Sequence, residues 1–189
     1  EANAIAPHAL GKFRDLLGAT VHHPAMLRYL DNEANAVKRI NENYARELME
    51  LHTLGVNGGY SQADVQELAR ILTGVGVNLG PETPKVKPAL QAQYVRRGLF
   101  EVNPNRHDYG DKQLLGQTVK GRGLAELDEA LDRLSRSPAT AHFISGKLAQ
   151  YFVGDNPPEA LVARMAATFR HSDGMIADVL HTMFASEEF

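Results

Sequence analysis

Asn41-Glu42-Asn43-Tyr44-Ala45-Arg46-Glu47-Leu48-Met49-Glu50-Leu51-His52-Thr53-Leu54-Gly55 is the stretch whose reading decides the fold. At about 100° per residue, Tyr44, Leu48 and Leu51 fall on one apolar stripe, which is the spacing of an amphipathic helix and not of a strand. Gly55 stands where a left-handed residue closes a helix. Asn43, Glu47 and Glu50 form a polar row beside the stripe, with Glu47 bordering it and Glu50 further round. The spacing predicts a helix from about Asn41 to Gly55, lying on a shared core by its apolar side.

The same rhythm extends outward in both directions. Upstream, Pro7 opens a helix carrying Leu10, Phe13, Leu16 and Leu17, His23-Pro24 interrupts it, and a short helix with Met26, Leu27 and Leu30 follows. Downstream, Asn57-Gly58-Gly59 is a turn, and Ser61 with Asp64 has capping-box spacing ahead of Val65, Leu68, Ala69 and Leu72. From Leu124 the helical stripes resume. Leu124, Leu127, Leu131 and Leu134 make one, and Ser137-Pro138 opens the next, with Ala141, Ile144, Leu148 and Phe152. Two more follow, one with Leu161, Met165 and Phe169, the other with Ile176, Leu180, Met183 and Phe184. Residues 75–123 break the rhythm, because Gly and Pro recur and helical periodicity disappears. Short β-type segments are expected at 75–78, 99–102 and 114–119, with a small hairpin built on the loop Asn103–Lys112. The expected fold is therefore all-α: one domain over residues 1–189, a helical bundle of about seven or eight helices, with a small β hairpin in a central irregular insertion.

Composition narrows the function classes. Hydrophobic residues make up 43% of the 189 and charged residues 23%, too apolar for a disordered chain. Twenty Lys and Arg against 23 Asp and Glu give a net charge of −3, which argues against nucleic acid as a partner, since that needs a basic stripe. There is no cysteine, so disulfides, thiolate metal sites and a cysteine nucleophile are excluded. No apolar run has the ~20 residues that span a bilayer. The opening Glu1-Ala2-Asn3-Ala4 has neither a charged nor an apolar leader segment, which fits a processed protein or a portion of a longer one.

Three stretches carry a family resemblance when taken together. The first is the 41–55 segment, followed by Gly59-Tyr60-Ser61-Gln62-Ala63-Asp64-Val65 and Leu72-Thr73-Gly74. The second is His107-Asp108-Tyr109-Gly110-Asp111-Lys112 with Leu115-Gly116-Gln117. The third is Pro138-Ala139-Thr140-Ala141-His142-Phe143-Ile144, with Lys147-Leu148 and Tyr151-Phe152-Val153 after it. In this order they resemble the bacterial family catalogued as "domain of unknown function 1800". The resemblance implies an exported bacterial protein, periplasmic or secreted, that represents a portion of a longer chain. It also implies a partner encoded by a neighbouring gene, and it implies no chemistry. Residues 76–100 match no fixed family pattern.

Two places hold residues that could act chemically. On the 41–55 helix, Asn43, Glu47 and Glu50 are spaced i, i+4, i+7, so two carboxylates and an amide share a face on which a hard divalent cation could bind. Arg46 lies among them and can pair with Glu50, the plainer reading of a charged helical row. The loop Arg106–Lys112 concentrates His107, Asp108, Asp111 and Lys112 on turn-forming backbone, where sites tend to lie. His107 is a candidate general base, and the alternative is a turn whose aspartate caps its own backbone. The candidate catalytic pair is Glu47 and His107. The candidate binding residues are Asn43, Arg46, Glu50, Asp108 and Lys112, and a divalent metal would take Glu47, Glu50, His107 and Asp108. No H-E-x-x-H, Gly-x-Ser-x-Gly or Walker loop is present. Two functional readings follow: an exported helical scaffold that docks a partner protein, or a metal-dependent or acid/base hydrolase-like enzyme built on Glu47 and His107.

Overall fold

The structure is a computed structural model and describes residues 4–189; Glu1–Asn3, on which the reading of the opening segment falls, lie outside the described residues. Eight α-helices are found among the described residues: α1 (Phe13–Val21), α2 (Pro24–Tyr29), α3 (Asn43–Glu50), α4 (Gln62–Ile71), α5 (Leu124–Arg136), α6 (Pro138–Phe152), α7 (Glu159–His171) and α8 (Ile176–Phe184). Five three-residue strands lie between α4 and α5: β1 (Val75–Val77), β2 (Val95–Arg97), β3 (Phe100–Val102), β4 (Lys112–Leu114) and β5 (Gln117–Val119). Just over half of the chain is helical. The molecule is helix-rich but mixed, and all-α holds only as an approximation.

The β structure differs from the expected single hairpin. One sheet has the antiparallel order β1-β3-β2, pairing Val75 with Val102 and Val102 with Val95. The other is the hairpin β4-β5, with Lys112 opposite Val119. The loop Asn103–Lys112 makes no hairpin. Instead, the Asn103 side chain accepts from Asn105 N and starts a short 3-10 turn over Pro104–Arg106, an Asn-Pro device that initiates turns. The true reversal of the second hairpin is at Leu115-Gly116, both at positive φ, 51° and 75°. Positive φ is unusual for a leucine. Here the Leu115 amide is held by Asp64 Oδ1 at 2.7 Å, so helix α4 fixes the turn.

The described chain divides into two compact units. One comprises residues 4–20, 49–59 and 131–189, and the other 21–48 and 60–130. The first is helical. Within it α7 packs against both α6 and α8, burying Leu161, Met165, Phe169, Ile176, Val179 and Met183. The α6 N-terminus is capped as its sequence requires, with the Ser137 hydroxyl accepting from Ala139 N at 3.2 Å and Pro138 in the first turn. The second unit holds both sheets with α2 and α4. Its α4 opens with a complete capping box between Ser61 and Asp64, and buries Val65, Leu68, Ala69 and Ile71.

Helix α3 is shorter than the 41–55 pattern predicts. It ends at Glu50, and the chain then turns back so that Gly55, at φ 80°, donates its amide to Met49 O at 3.1 Å. The stripe breaks with it: Tyr44 and Leu48 are 1% exposed, whereas Leu51 is 59% exposed. A Cβ on residue 55 would lie 2.6 Å from the Phe143 ring, so the closing position demands glycine twice over, by φ and by space.

Candidate functional site

The polar loop flagged by sequence lies in the second unit and surrounds a buried ion cluster. Strand β4 points Lys112 and Leu114 to one side, as period two requires, and leaves Gln113 exposed. Lys112 is fully buried, which an ammonium tolerates only with partners. Its Nζ donates to a Glu126 carboxylate oxygen and to the Asp108 carbonyl. Glu126, also fully buried, is the third residue of α5, and its Oε1 accepts from the Gly123 amide at 2.8 Å and the Arg122 amide at 2.5 Å. That is the carboxylate half of a capping box, in which a helix's third residue reaches back to satisfy amides that have no intrahelical acceptor.

His107 joins the cluster from the loop. Its Nε2 is 3.0 Å from Glu126 Oε1, and its Nδ1 is 2.8 Å from the Thr73 carbonyl oxygen. The Thr73 hydroxyl gives its hydrogen to Arg70 O at 2.6 Å and accepts the Asp108 amide at 2.9 Å. Both ring nitrogens therefore face oxygen atoms of the surrounding structure. The Tyr109 ring stands edge-on to His107 with centroids 4.8 Å apart, and its hydroxyl donates to Gln93. Burial pushes the Glu126 carboxyl up, but hydrogen bonds and charge from His107 and Lys112 outweigh it and hold the group below its ordinary value.

A second layer fixes the loop. Arg70 of α4 grips Asp108 with Nε at 2.8 Å and Nη2 at 3.3 Å, and grips Glu67 with Nη1 at 2.8 Å. The Arg70 hydrogen bond, helped by the Gly110 amide, keeps the Asp108 carboxyl below its usual range against the opposing effect of burial. Glu67 in turn accepts the Gln113 amide at 2.7 Å. The close approach of Gly121 completes the closure, because a Cβ there would lie 1.9 Å from Tyr109 O.

Against the sequence expectations, the structure brings together His107, Asp108 and Lys112. The carboxylate that meets the histidine is Glu126. Glu47 lies half-buried on α3. Asn43, at the start of α3, donates its side-chain amide to Leu30 O at 3.2 Å, and Arg46 pairs with Glu42 at 3.1 Å and Gln62 at 2.9 Å. Glu50 belongs to the other unit. Among the described residues no three His, Asp or Glu side chains are grouped to hold a metal ion. Glu126, Thr73 and Arg70 are not among the residues that the sequence marks as candidates. The signal for Glu126 was available: it is the third residue of a helix that follows Gly123, and it shares a face with Ala130.

Chemically, the cluster binds a helix N-terminus, a hairpin and a loop into one another. To use His107 as a base, a substrate would have to displace Glu126 or Thr73 from a ring that is 6% exposed. Among the described residues no helix is long and apolar enough to cross a membrane.

These features define a helix-rich chain with two small antiparallel sheets and an interior ion cluster at the start of α5. The family model described as "Protein of unknown function (DUF1800)" matches residues 1–189, the whole chain, and the chain belongs to that family. No curated protein and no solved structure matches it.

Proposed function

We propose that the chain is an interaction module whose docking face is an exposed aromatic run in the helical unit. Tyr151 and Phe152 end α6, Phe184 ends α8, and Phe189 follows. Ring centroids are 4.9 Å apart from Tyr151 to Phe152, 5.7 Å from Phe152 to Phe184 and 4.8 Å from Phe184 to Phe189, each pair edge to face. The four residues are 81%, 43%, 47% and 59% exposed in chain order. At ~200 Å² per ring this leaves roughly 450 Å² of contiguous aromatic surface in water, within the range of the largest patch on a monomer. A standard interface buries about 800 Å² on each partner, so the run supplies the apolar centre and a polar rim supplies the rest. The two-pronged Arg164–Glu188 ion pair, at 2.7 and 2.6 Å, stands near the end of that run.

The observation that carries this reading is the unbroken edge-to-face order of the four rings. Single exposed apolar residues are ordinary, but an ordered series at the ends of two packed helices is the composition of interface hot spots. The partner proposed is a protein encoded beside this one and exported with it; family likeness alone supports that identity and the periplasmic or secreted location. The test is pull-down of the purified neighbouring gene product by the native chain and by a Tyr151→Ala/Phe184→Ser variant. Retention by the native chain and loss of about tenfold or more in affinity with the variant supports the proposal. Equal retention by both overturns it.

A further inference from the structure

The helical unit also contains a concavity of about 350 Å³ bordered by Lys12, Phe13, Arg136, Phe169, Arg170 and Gly174. We infer that it binds a small organic anion, with a carboxylate held by the basic rim and an apolar ring or short chain laid on Phe13 and Phe169.

The floor and the rim have different chemistry. Phe13 and Phe169 are buried and tilted against each other with centroids 5.6 Å apart. The floor is fixed by backbone, since Phe13 N donates to Gly174 O at 2.8 Å and Gly174 N to Phe169 O at 2.8 Å. Gly174 sits at φ 76°, and a Cβ there would lie 3.3 Å from the Phe169 ring. A side chain at residue 174 would crowd the concavity.

The rim has more positive charge than its own carboxylates use. Lys12 pairs with Asp173 at 2.7 Å, and Arg136 reaches the same carboxylate through Nε alone at 3.4 Å. Arg14 is engaged by Asp132 at 2.6 Å. Arg170 is exposed and forms no hydrogen bond or ion pair among the described residues. Asp15 also borders the space, so with Arg14 taken up by Asp132, the three cations Lys12, Arg136 and Arg170 face the two carboxylates Asp15 and Asp173, in a chain whose net charge is −3. Arg136 and Arg170 each lie in the last turn of a helix, where a cation complements the helix dipole. That accounts for each arginine separately. It does not account for both helix ends and Lys12 meeting over one aromatic floor. Guanidinium groups with unused donors are suited to grip a carboxylate in two-pronged fashion. The volume lies at the lower end of small-molecule sites, which sets the size class of the ligand.

The test uses the whole chain, with benzoate, benzyl alcohol and inorganic phosphate as probes and protein-observed amide-correlation NMR titration as the readout. Benzoate is expected to bind at about millimolar concentration, and to shift the Gly174 amide signal. Arg136→Gln/Arg170→Gln is expected to weaken it by about tenfold, while Arg122→Gln, an exposed arginine elsewhere, leaves it unchanged. Both substitutions of the double variant are on exposed side chains, and an unchanged circular dichroism spectrum identifies a folded variant. Benzyl alcohol binding as tightly as benzoate, phosphate binding as tightly as benzoate, no benzoate binding at all, or undiminished binding by the double variant would each overturn the inference.

Discussion

Replacing Glu126 by Gln keeps the shape of the side chain and removes its charge. In the native chain that carboxylate is fully buried and accepts from Lys112, His107 and the amides of Arg122 and Gly123. Gln can present one carbonyl oxygen to the amides. Its NH2 group then faces the Lys112 ammonium, donor against donor, and a fully buried cation loses its counter-ion. Removing one partner of a buried ion pair costs about 3–5 kcal/mol, because the remaining charge stays desolvated. Against a total stability of ~5–15 kcal/mol this is a large fraction, and for a chain of this size it corresponds to a drop in Tm of roughly 6–20 °C. Urea unfolding followed by circular dichroism measures it directly. The double variant Glu126→Gln/Lys112→Met removes both charges and is expected to be more stable than Glu126→Gln alone by ~2 kcal/mol or more. If Glu126→Gln unfolds within about 1 kcal/mol of the native chain, or if the double variant is no better than the single one, the reasoning about the cluster fails.

Other consequences can be checked alongside. Glu126 and Asp108 both have carboxyls held below their ordinary values, so their contribution is complete above the unfolded value and is lost as pH falls through the folded one. The urea midpoint should therefore fall steeply only below about pH 4, and Asp108→Asn should flatten that fall. Gly121→Ala places a Cβ against the Tyr109 carbonyl, backbone against backbone, and should cost about 1–3 kcal/mol or prevent folding, read by the same unfolding curves. Ser61→Ala removes the cap of α4, whose hydroxyl accepts the Asp64 amide at 3.2 Å, and should cost ~1 kcal/mol.

Most of the helical framework was legible because caps and stripes are local. His23-Pro24, Ser61 with Asp64, and Ser137-Pro138 each mark a real helix start. Helix α3 stops short of its sequence pattern, since Leu51 continues the period on paper although the chain has already turned toward Gly55. The β4-β5 hairpin looks like one continuous segment in the sequence because its reversal is Leu-Gly and not Asn-Gly, and the turn is held by Asp64 from fifty-one residues away. The polar loop was legible by its density of His107, Asp108 and Lys112. Its main partner was not, because Glu126 occurs in a charged helix where one more carboxylate reads as solvated. Burial of Lys112 comes from strand alternation in a strand too short to announce itself. The aromatic run does not show in the sequence, since Phe152 and Phe184 share helical stripes with residues that are buried.

Hydroxyl-radical footprinting of the chain, alone and with its neighbouring gene product, tests the central claim most directly. The account predicts strong labelling of Tyr151, Phe152 and Phe184 in the free chain, protection of all three in the complex, and little labelling of His107 in either. Aromatic rings that remain labelled in the complex, or a His107 ring that labels freely and becomes protected, would contradict it.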